Sequence, residues 1–337
     1  TAELRAEFAA ALADIAARTE EHERCIILSG GVDTCAILAA AKEQGILFAA
    51  ALTMITGQDS PDREFAIAAA KEHSLTHHVI VVESADLVDE YLPACAKLLG
   101  TFDGMTLRNS LVVAAAMRRA AQLGYKSAVV GDGADELFGG YLYFRDAPSS
   151  NHVHNELRRI FGHLHNVNCQ RADRMTMAHS LEARVPFLDP RVIDAVMAVD
   201  PKYKTIEGEE KPEKHALRAL FDGEIPDPVL WRTKAMQCEG VGLNWVEDLQ
   251  KFCEEQISDE DFAKAESTYP INPPHSKEEM YYRRIFEKHY KGMDKFVHVW
   301  EGGCRAGGAA WENDQYTRAG VKNVKQLAKG LTGVKGA

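Results

Sequence analysis

The 337-residue chain has seven cysteines, at 25, 35, 95, 169, 238, 253 and 304, yet no C-x-x-C pair and no His-rich stretch beside them. That spacing excludes the usual zinc frameworks and gives no disulfide scaffold, so the cysteines read as small buried or incidental thiols. No apolar run approaches the length of a membrane span. The opening residues, TAELRAEFAAALADIAART, carry acids where a cleavable leader would carry a basic segment, and the expected location is the cytoplasm. Basic residues are in deficit, with a formal net charge of -11, which argues against a nucleic-acid surface. Neither G-x-x-x-x-G-K-[ST] nor G-x-G-x-x-G occurs, so Walker-type and dinucleotide phosphate loops are absent, and no internal repeat is visible.

What is present is ordinary globular material, 46% hydrophobic and 26% charged, organised around Cys25 to Thr34, CIILSGGVDT. An apolar run stops there at a serine and two glycines, and helical spacing resumes after Asp33. The pattern predicts strand, tight turn and helix. Glycines let the backbone approach a ligand without a Cβ in the way, and the N–H groups that open the helix then point at an anion. The alternative is a plain tight turn punctuated by glycine.

Along the chain, residues 1–20 read as a lead-in helix. Strands are expected near Cys25, at Ile46 to Ile55, His77 to Val82 and Ser127 to Val130, with helices at Thr34 to Gln44, Phe65 to Lys71, Ala85 to Leu99 and Asn109 to Leu123. Such alternation gives an α/β fold with a doubly wound parallel sheet and helices on both faces. Beyond Arg145 strands are expected to stop. Asn155 to Ala183, Pro190 to Ala198, Glu213 to Phe221, Trp245 to Ile257 and Lys277 to His289 read as helices. The expected division is an α/β region over 1–150, a helical half over 151–302 and a Gly-, Ala- and Lys-rich tail over 303–337, disordered in part.

The fourth strand runs into a second glycine-bracketed acidic turn, VVGDGADELFGGY, Val129 to Tyr141. In doubly wound sheets ligands bind beyond the carboxyl ends of the strands, where strand order reverses, so the two turns are expected to face one site. Carboxylates beside phosphate repel it unless a cation intervenes, which makes Asp33 and Asp135 sensible Mg²⁺ ligands. The alternative is that Asp132, Asp135 and Glu136 cap the following turn.

The chain resembles the synthetase domain of asparagine synthetases from about Thr1 to about Gln315. The matching stretches are LSGGVDT at 28–34, SPD at 60–62, TLR at 106–108, GDGADELFGGYLYF at 131–144, DRMTMAHSLEARVPFLD at 173–189, EKHALR at 213–218, WRTKAMQCEGVGLNW at 231–245 and YYRRIFE at 281–287. The resemblance implies an adenine-nucleotide-α-hydrolase-like fold that uses ATP and Mg²⁺ in adenylating the side chain of aspartate, ammonia then displacing AMP. It implies adenosine contacts from the backbone at Leu28, Ile55 and Gly131, and a pyrophosphate cradle of Ser29, Gly30, Gly31, Asp33 and Thr34. Lys234 would be the cation that stabilises the transferring phosphoryl group, Arg108 would hold substrate or phosphates, and Asp132 would make a catalytic or substrate contact. Glu182, Arg184 and Asp189 are expected to form a buried ion-pair network, and Tyr141, Tyr143 and Phe144 to be core.

Three positions depart from the family pattern: Thr34 replaces a usual serine, Asp132 a frequent glutamate, and Met105 a frequent threonine. They leave carboxylate activation in place and open the identity of the acid. The alternatives are adenylation of another acid or attack by an internal amine, as in β-lactam-forming relatives, and a nucleotide-binding subunit without turnover. Since the phosphate loop begins by residue 29, no glutaminase domain precedes it in this sequence. Free ammonia, a separate glutaminase subunit, or a fragment of a longer chain are the readings left open.

Overall fold

A computed structural model describes residues 2–57, 60, 62–207, 211–232, 241–242, 245–297 and 299. The expectations placed on Lys234 and on the 303–337 tail fall outside these residues. Five parallel strands form one sheet in the order β3-β2-β1-β4-β5: β1 Arg24–Ile27, β2 Ala50–Ile55, β3 His77–Val81, β4 Ser127–Val129 and β5 Glu182–Arg184. The doubly wound parallel α/β fold expected from the sequence is therefore present. Strand order reverses between β1 and β4, and that switch point defines the crevice above the sheet.

The helices are α1 Ala2–Ala17, α2 Val32–Glu43, α3 Arg63–Glu72, α4 Leu92–Leu99, α5 Gly104–Gln122, α6 Ala134–Phe138, α7 Ser150–Gly162, α8 Asn168–Met177, α9 Pro190–Met197, α10 His215–Leu220, α11 Trp245–Gln256 and α12 Lys277–Tyr290, with shorter turns between them. Strand alternation sorts them onto two faces. Cys25, Ala50, Leu52 and Ala128 point into one core with α4, α5, α11 and α12. Ile26, Ala51 and Val129 point into the other with α1, α2, α3, α9 and α10. Both faces are apolar because crossover helices cover both, the reason β2 is buried along its whole length. Among the described residues no helix is long and apolar enough to cross a membrane.

Two expectations need correction. Strands do not stop at β4: β5 begins at the end of the stretch read as one helix over 155–183, which is occupied by most of α7, by α8 and by the start of this edge strand. Glu182-Ala183-Arg184 is too short and too mixed in polarity to signal a strand, and only pairing with β4 makes it one. Glu182, Arg184 and Asp189 also form no buried network. Glu182 is exposed and pairs with Arg184 in its own strand, while Asp189 caps α9 through the Arg191 N–H at 2.9 Å and pairs with the Arg191 side chain at 2.8 Å.

Beneath the second acidic turn lies a buried lysine, Lys204, whose Nζ donates to the Val196 carbonyl at 2.6 Å, near the end of α9. Burial lowers its pKa from 10.5 to about 8. Between about pH 8 and 10.5 the unfolded chain then holds a proton that the folded chain lacks. Stability contributed by this group thus rises with pH through that window, and the penalty is full below it. The lowering corresponds to about 3 kcal/mol and the hydrogen bond offsets about 1 kcal/mol. Lys204→Met is therefore expected to raise unfolding stability by about 2 kcal/mol at pH 7, with an advantage over wild type that shrinks toward pH 10 in paired urea titrations. An advantage independent of pH is inconsistent with this account.

Candidate active site

The first turn follows directly from β1. The Leu28 N–H donates to Leu52 O at 2.8 Å, continuing the ladder by one residue. The Leu28 carbonyl accepts from Thr53 Oγ1 at 2.6 Å, and the same hydroxyl meets His77 Nε2 at 2.8 Å. Ile55, at the end of β2, gives its carbonyl to the Val82 N–H at 3.0 Å. Each of these two carbonyls keeps a lone pair for a further donor.

Gly30 has φ +69°, and a Cβ there would stand 2.4 Å from Ala66 N and 2.7 Å from Phe65 C. Glycine is required at this position twice over, by the left-handed backbone and by the packing of the turn onto α3. Gly31 is the N-cap of α2 and supplies no side-chain cap. Its N–H donates to Ser29 Oγ at 3.2 Å, and Ser29 Oγ and Thr34 Oγ1 are 3.4 Å apart. The turn thus sets two hydroxyls beside the side-chain-uncapped start of a 12-residue helix, where backbone N–H groups and the helix dipole favour an anion.

The second turn follows β4. A Cβ on Gly131 would stand 3.1 Å from Asp33 Cβ, so the two turns touch. Gly133 has φ +93° and packs against Leu188, and Gly139 has φ +71° with Lys204 O where its Cβ would be, at 2.7 Å. The short α6 is held between these two glycines, with Asp135 and Glu136 in its first turn.

The two acids converge on a residue to which the sequence reading gave no role. Lys214 Nζ lies 2.6 Å from both carboxylate oxygens of Asp33 and 2.8 Å from Asp135 Oδ1. Its side chain is 2% exposed. Burial works against its charge, and the fields of Asp135 and Asp33 outweigh burial and hold the ammonium above the ordinary lysine range. Lys214 sits at φ +58°, an unusual backbone for a lysine, one residue before α10. Gly140 makes the meeting possible, since a Cβ there would lie 1.9 Å from Asp135 Oδ1 and 2.3 Å from Lys214 Cε. The signal in the sequence was EKHALR itself: two acids brought together need a cation, and that motif carries one.

Asp132 is largely buried. Burial pushes its carboxyl above the usual carboxylate range, Arg171 pulls it down through a 3.1 Å contact, and Asp135 and Asp33 add to the upward push. Glu136 accepts from Asn168 Nδ2 at 2.6 Å and from the Tyr141 hydroxyl. Tyr143 and Phe144 are core, as expected, but Tyr141 is half-buried with its hydroxyl on an acid of the turn. Arg108, in α5, donates through Nε to Glu278 Oε1 of α12 at 2.6 Å and through Nη2 to the other oxygen. Tyr282 donates to the same Glu278 oxygen at 2.6 Å. Sequence reading did not foresee this partner, which lies 170 residues away.

Lys234 is outside the described residues, but its described flanks are anchored at the rim of the crevice. Arg232 donates to Asp62 Oδ1 at 2.5 Å, with its guanidinium 4.3 Å from the Phe65 ring centroid. On the other side the Thr56 N–H donates to Val241 O at 2.7 Å, and a Cβ on Gly242 would lie 2.0 Å from Thr56 Oγ1.

The motif residues of both turns thus meet at the switch point of the sheet, and the asparagine synthase family model matches residues 3–159 and 147–312. This chain belongs to the asparagine synthase family. It is similar to a probable glutamine-hydrolysing asparagine synthetase of Dictyostelium discoideum, 39% identical over 246 residues, which are 70% of this chain and 44% of that protein. It is also similar to asparagine synthetase B (glutamine-hydrolysing) of Escherichia coli strain K12, 37% identical over 232 residues, 68% of this chain and 41% of the relative. Glutamine-hydrolysing asparagine synthetase 1 of Arabidopsis thaliana is 35% identical over 280 residues, 79% of this chain and 47% of the relative. The chain spans less than half the length of these relatives. Among solved structures, NMN synthetase from Francisella tularensis aligns over 88% of this chain and 97% of its own, at 12% identity and a TM-score of 0.36, a likeness too weak to carry argument.

The contact around Gly140 gives a direct test of the site's construction. Gly140→Ala drives a methyl into both members of the Asp135–Lys214 pair, and is expected to lower unfolding stability by about 3 kcal/mol or more in urea titrations. Gly162→Ala is the control: with nothing within 4 Å of the added Cβ, it is expected to be neutral or slightly stabilising. Equal stability of the two variants is inconsistent with the packing described.

Proposed function

We propose that this chain catalyses AMP-forming amide ligation, with ATP, aspartate and ammonia as substrates and asparagine, AMP and pyrophosphate as products. The observation that carries the reading is the convergence of Asp33 and Asp135, from two separate turns at the switch point, on one cation within 2.8 Å. Family membership supplies the reaction class. In the first step a carboxylate oxygen of aspartate attacks the α-phosphorus, the bond to the bridging oxygen breaks, and pyrophosphate leaves with that electron pair. In the second, the nitrogen lone pair of ammonia attacks the activated carbonyl carbon, AMP leaves, and a proton is lost from nitrogen.

The residues of the chain divide this work. Ser29, Gly30, Gly31 and Thr34 cradle the pyrophosphate with backbone N–H groups and hydroxyls. The backbone at Leu28, Ile55 and Gly131 lines the adenosine. Lys234 supplies positive charge where it develops on the transferring phosphoryl group. Arg108, held by Glu278, faces substrate or phosphates, and Asp132, oriented by Arg171, contacts the substrate. Asp33 and Asp135 fit Mg²⁺, because two hard oxygen donors already share one cation. Among the described residues no cluster of three His, Cys, Asp or Glu forms a cage, so substrate oxygens and water would complete the shell. When bound, the ion neutralises phosphate charge.

The nitrogen donor read here is ammonia. Hydrolysis of glutamine needs an accessible thiolate; among the described residues burial pushes the Cys25, Cys35, Cys95 and Cys253 thiols up to about 12 and raises that of the half-buried Cys169 as well. A separate glutaminase subunit remains a compatible source of ammonia. The relatives are named as glutamine-hydrolysing and are more than twice as long as the matched region.

A pyrophosphate-release assay with a panel of amino acids and ammonium tests the reading; release that depends on aspartate and ATP is expected, and release with another acid alone transfers the activity to that acid. Amide formation by this chain should rise with ammonium, most steeply at higher pH where more NH₃ is present, and should fail with glutamine once ammonium is removed. Lys234→Ala is expected to lose about 100-fold or more in kcat with little change in ATP affinity. A loss confined to KM for ATP reassigns Lys234 to ground-state binding.

A further inference from the structure

The acids read as metal ligands are already neutralised by the chain itself. Lys214 Nζ is 2.6 Å from both oxygens of Asp33 and 2.8 Å from Asp135 Oδ1, with its side chain 2% exposed. A divalent ion drawing on those same oxygens would stand where the ammonium stands. Two cations forced together in a crevice shielded from water repel strongly, so one must leave. The lysine is built into its place by more than charge. Its backbone is held at φ +58°, and the absence of a side chain at Gly140 leaves the room that Lys214 Cε and Asp135 fill. Without a counter-ion, Asp33 and Asp135 would face each other as like charges in a largely buried site, and the two turns would be pushed apart.

We infer that Lys214 is the resident counter-ion of the Asp33–Asp135 pair, excluding divalent metal from these acids until the polyphosphate of a nucleotide draws the ammonium away. A metal arriving alone would strand the ammonium unpaired in the crevice. A triphosphate arriving with the metal gives the ammonium a new anionic partner, so metal and nucleotide bind with positive coupling that is reciprocal by linkage. The inference rests on Asp33 and Asp135 being metal ligands and adds what that reading lacks: a reason for the metal to depend on nucleotide, and a residue that enforces it.

The test is Mn²⁺ binding, read from the spin-resonance signal of the free ion, with Mg²⁺-dependent shifts in Tm as a second readout. Wild type without nucleotide is expected to bind Mn²⁺ weakly and to show no shift in Tm with Mg²⁺. With a non-hydrolysable ATP analogue it should bind Mn²⁺ roughly tenfold or more tightly. Lys214→Gln should bind Mn²⁺ without nucleotide about as well as wild type does with it, and Mg²⁺ should raise its Tm. Lys214→Met repeats the measurement if the glutamine variant does not fold, and Lys214→Arg, which keeps the charge, should still exclude the ion. Asp33→Asn in the Lys214→Gln background should abolish the gain.

Wild type binding Mn²⁺ without nucleotide as tightly as Lys214→Gln overturns the inference. So does a Lys214→Gln variant that gains no Mn²⁺ while analogue-dependent binding in wild type is lost on Asp33→Asn, a result that leaves the metal reading intact. Binding with the analogue that survives both Asp33→Asn and Asp135→Asn overturns the metal reading itself.

Discussion

The meeting of Asp33, Asp135 and Lys214 is the contact on which the crevice depends. Two carboxylates brought within reach of one point by two separate strand ends repel each other, and a parallel sheet gives them no escape, because β1 and β4 are hydrogen-bonded neighbours. The ammonium of Lys214 turns that repulsion into attraction. Removing one member of such a buried set costs about 3–5 kcal/mol, more than a typical surface ion pair contributes, because the remaining charge is left uncompensated.

The surroundings are arranged to keep that contact in place. Glycines at 30, 131 and 140 stand where a Cβ would strike α3, Asp33 or the Asp135–Lys214 pair, so the turns approach one another at backbone distance. Arg171 holds Asp132 from α8, Asn168 and Tyr141 hold Glu136, and Glu278 of α12 holds Arg108 of α5. Arg108, Asp132 and Glu136 are thus each tied to an element distant in sequence. The C-terminal helices do more than cover one face of the sheet; through Glu278 and Tyr282 they reach a residue proposed to face substrate.

Family membership and geometry carry different parts of the functional reading. The matched family points to a reaction class, and the crevice offers a side-chain-uncapped helix start and two acids that share one cation. Nitrogen supply is the part that depends most on chemistry outside the crevice. The described cysteines lie mostly in apolar cores, where thiolate formation is suppressed.

The doubly wound sheet was legible because β1, β2 and β4 are apolar runs broken by glycine turns, and such runs leave few other ways to be buried. The two glycine turns after β1 and β4 were legible for a related reason, since glycines that break an apolar run mark where a strand must end. The sequence alone did not determine β5, whose residues Glu182, Ala183 and Arg184 have no strand preference until β4 offers them hydrogen bonds. Nor did it determine that Lys214 would pair with Asp33 across 181 positions or Glu278 with Arg108 across 170. Periodicity and turn chemistry are local, and they set which segments become strands, turns and helices. Which charge meets which depends on how those segments cross, and only the folded sheet, by placing β4 beside β1 and the α10 start above both, chose the lysine that neutralises the two acids.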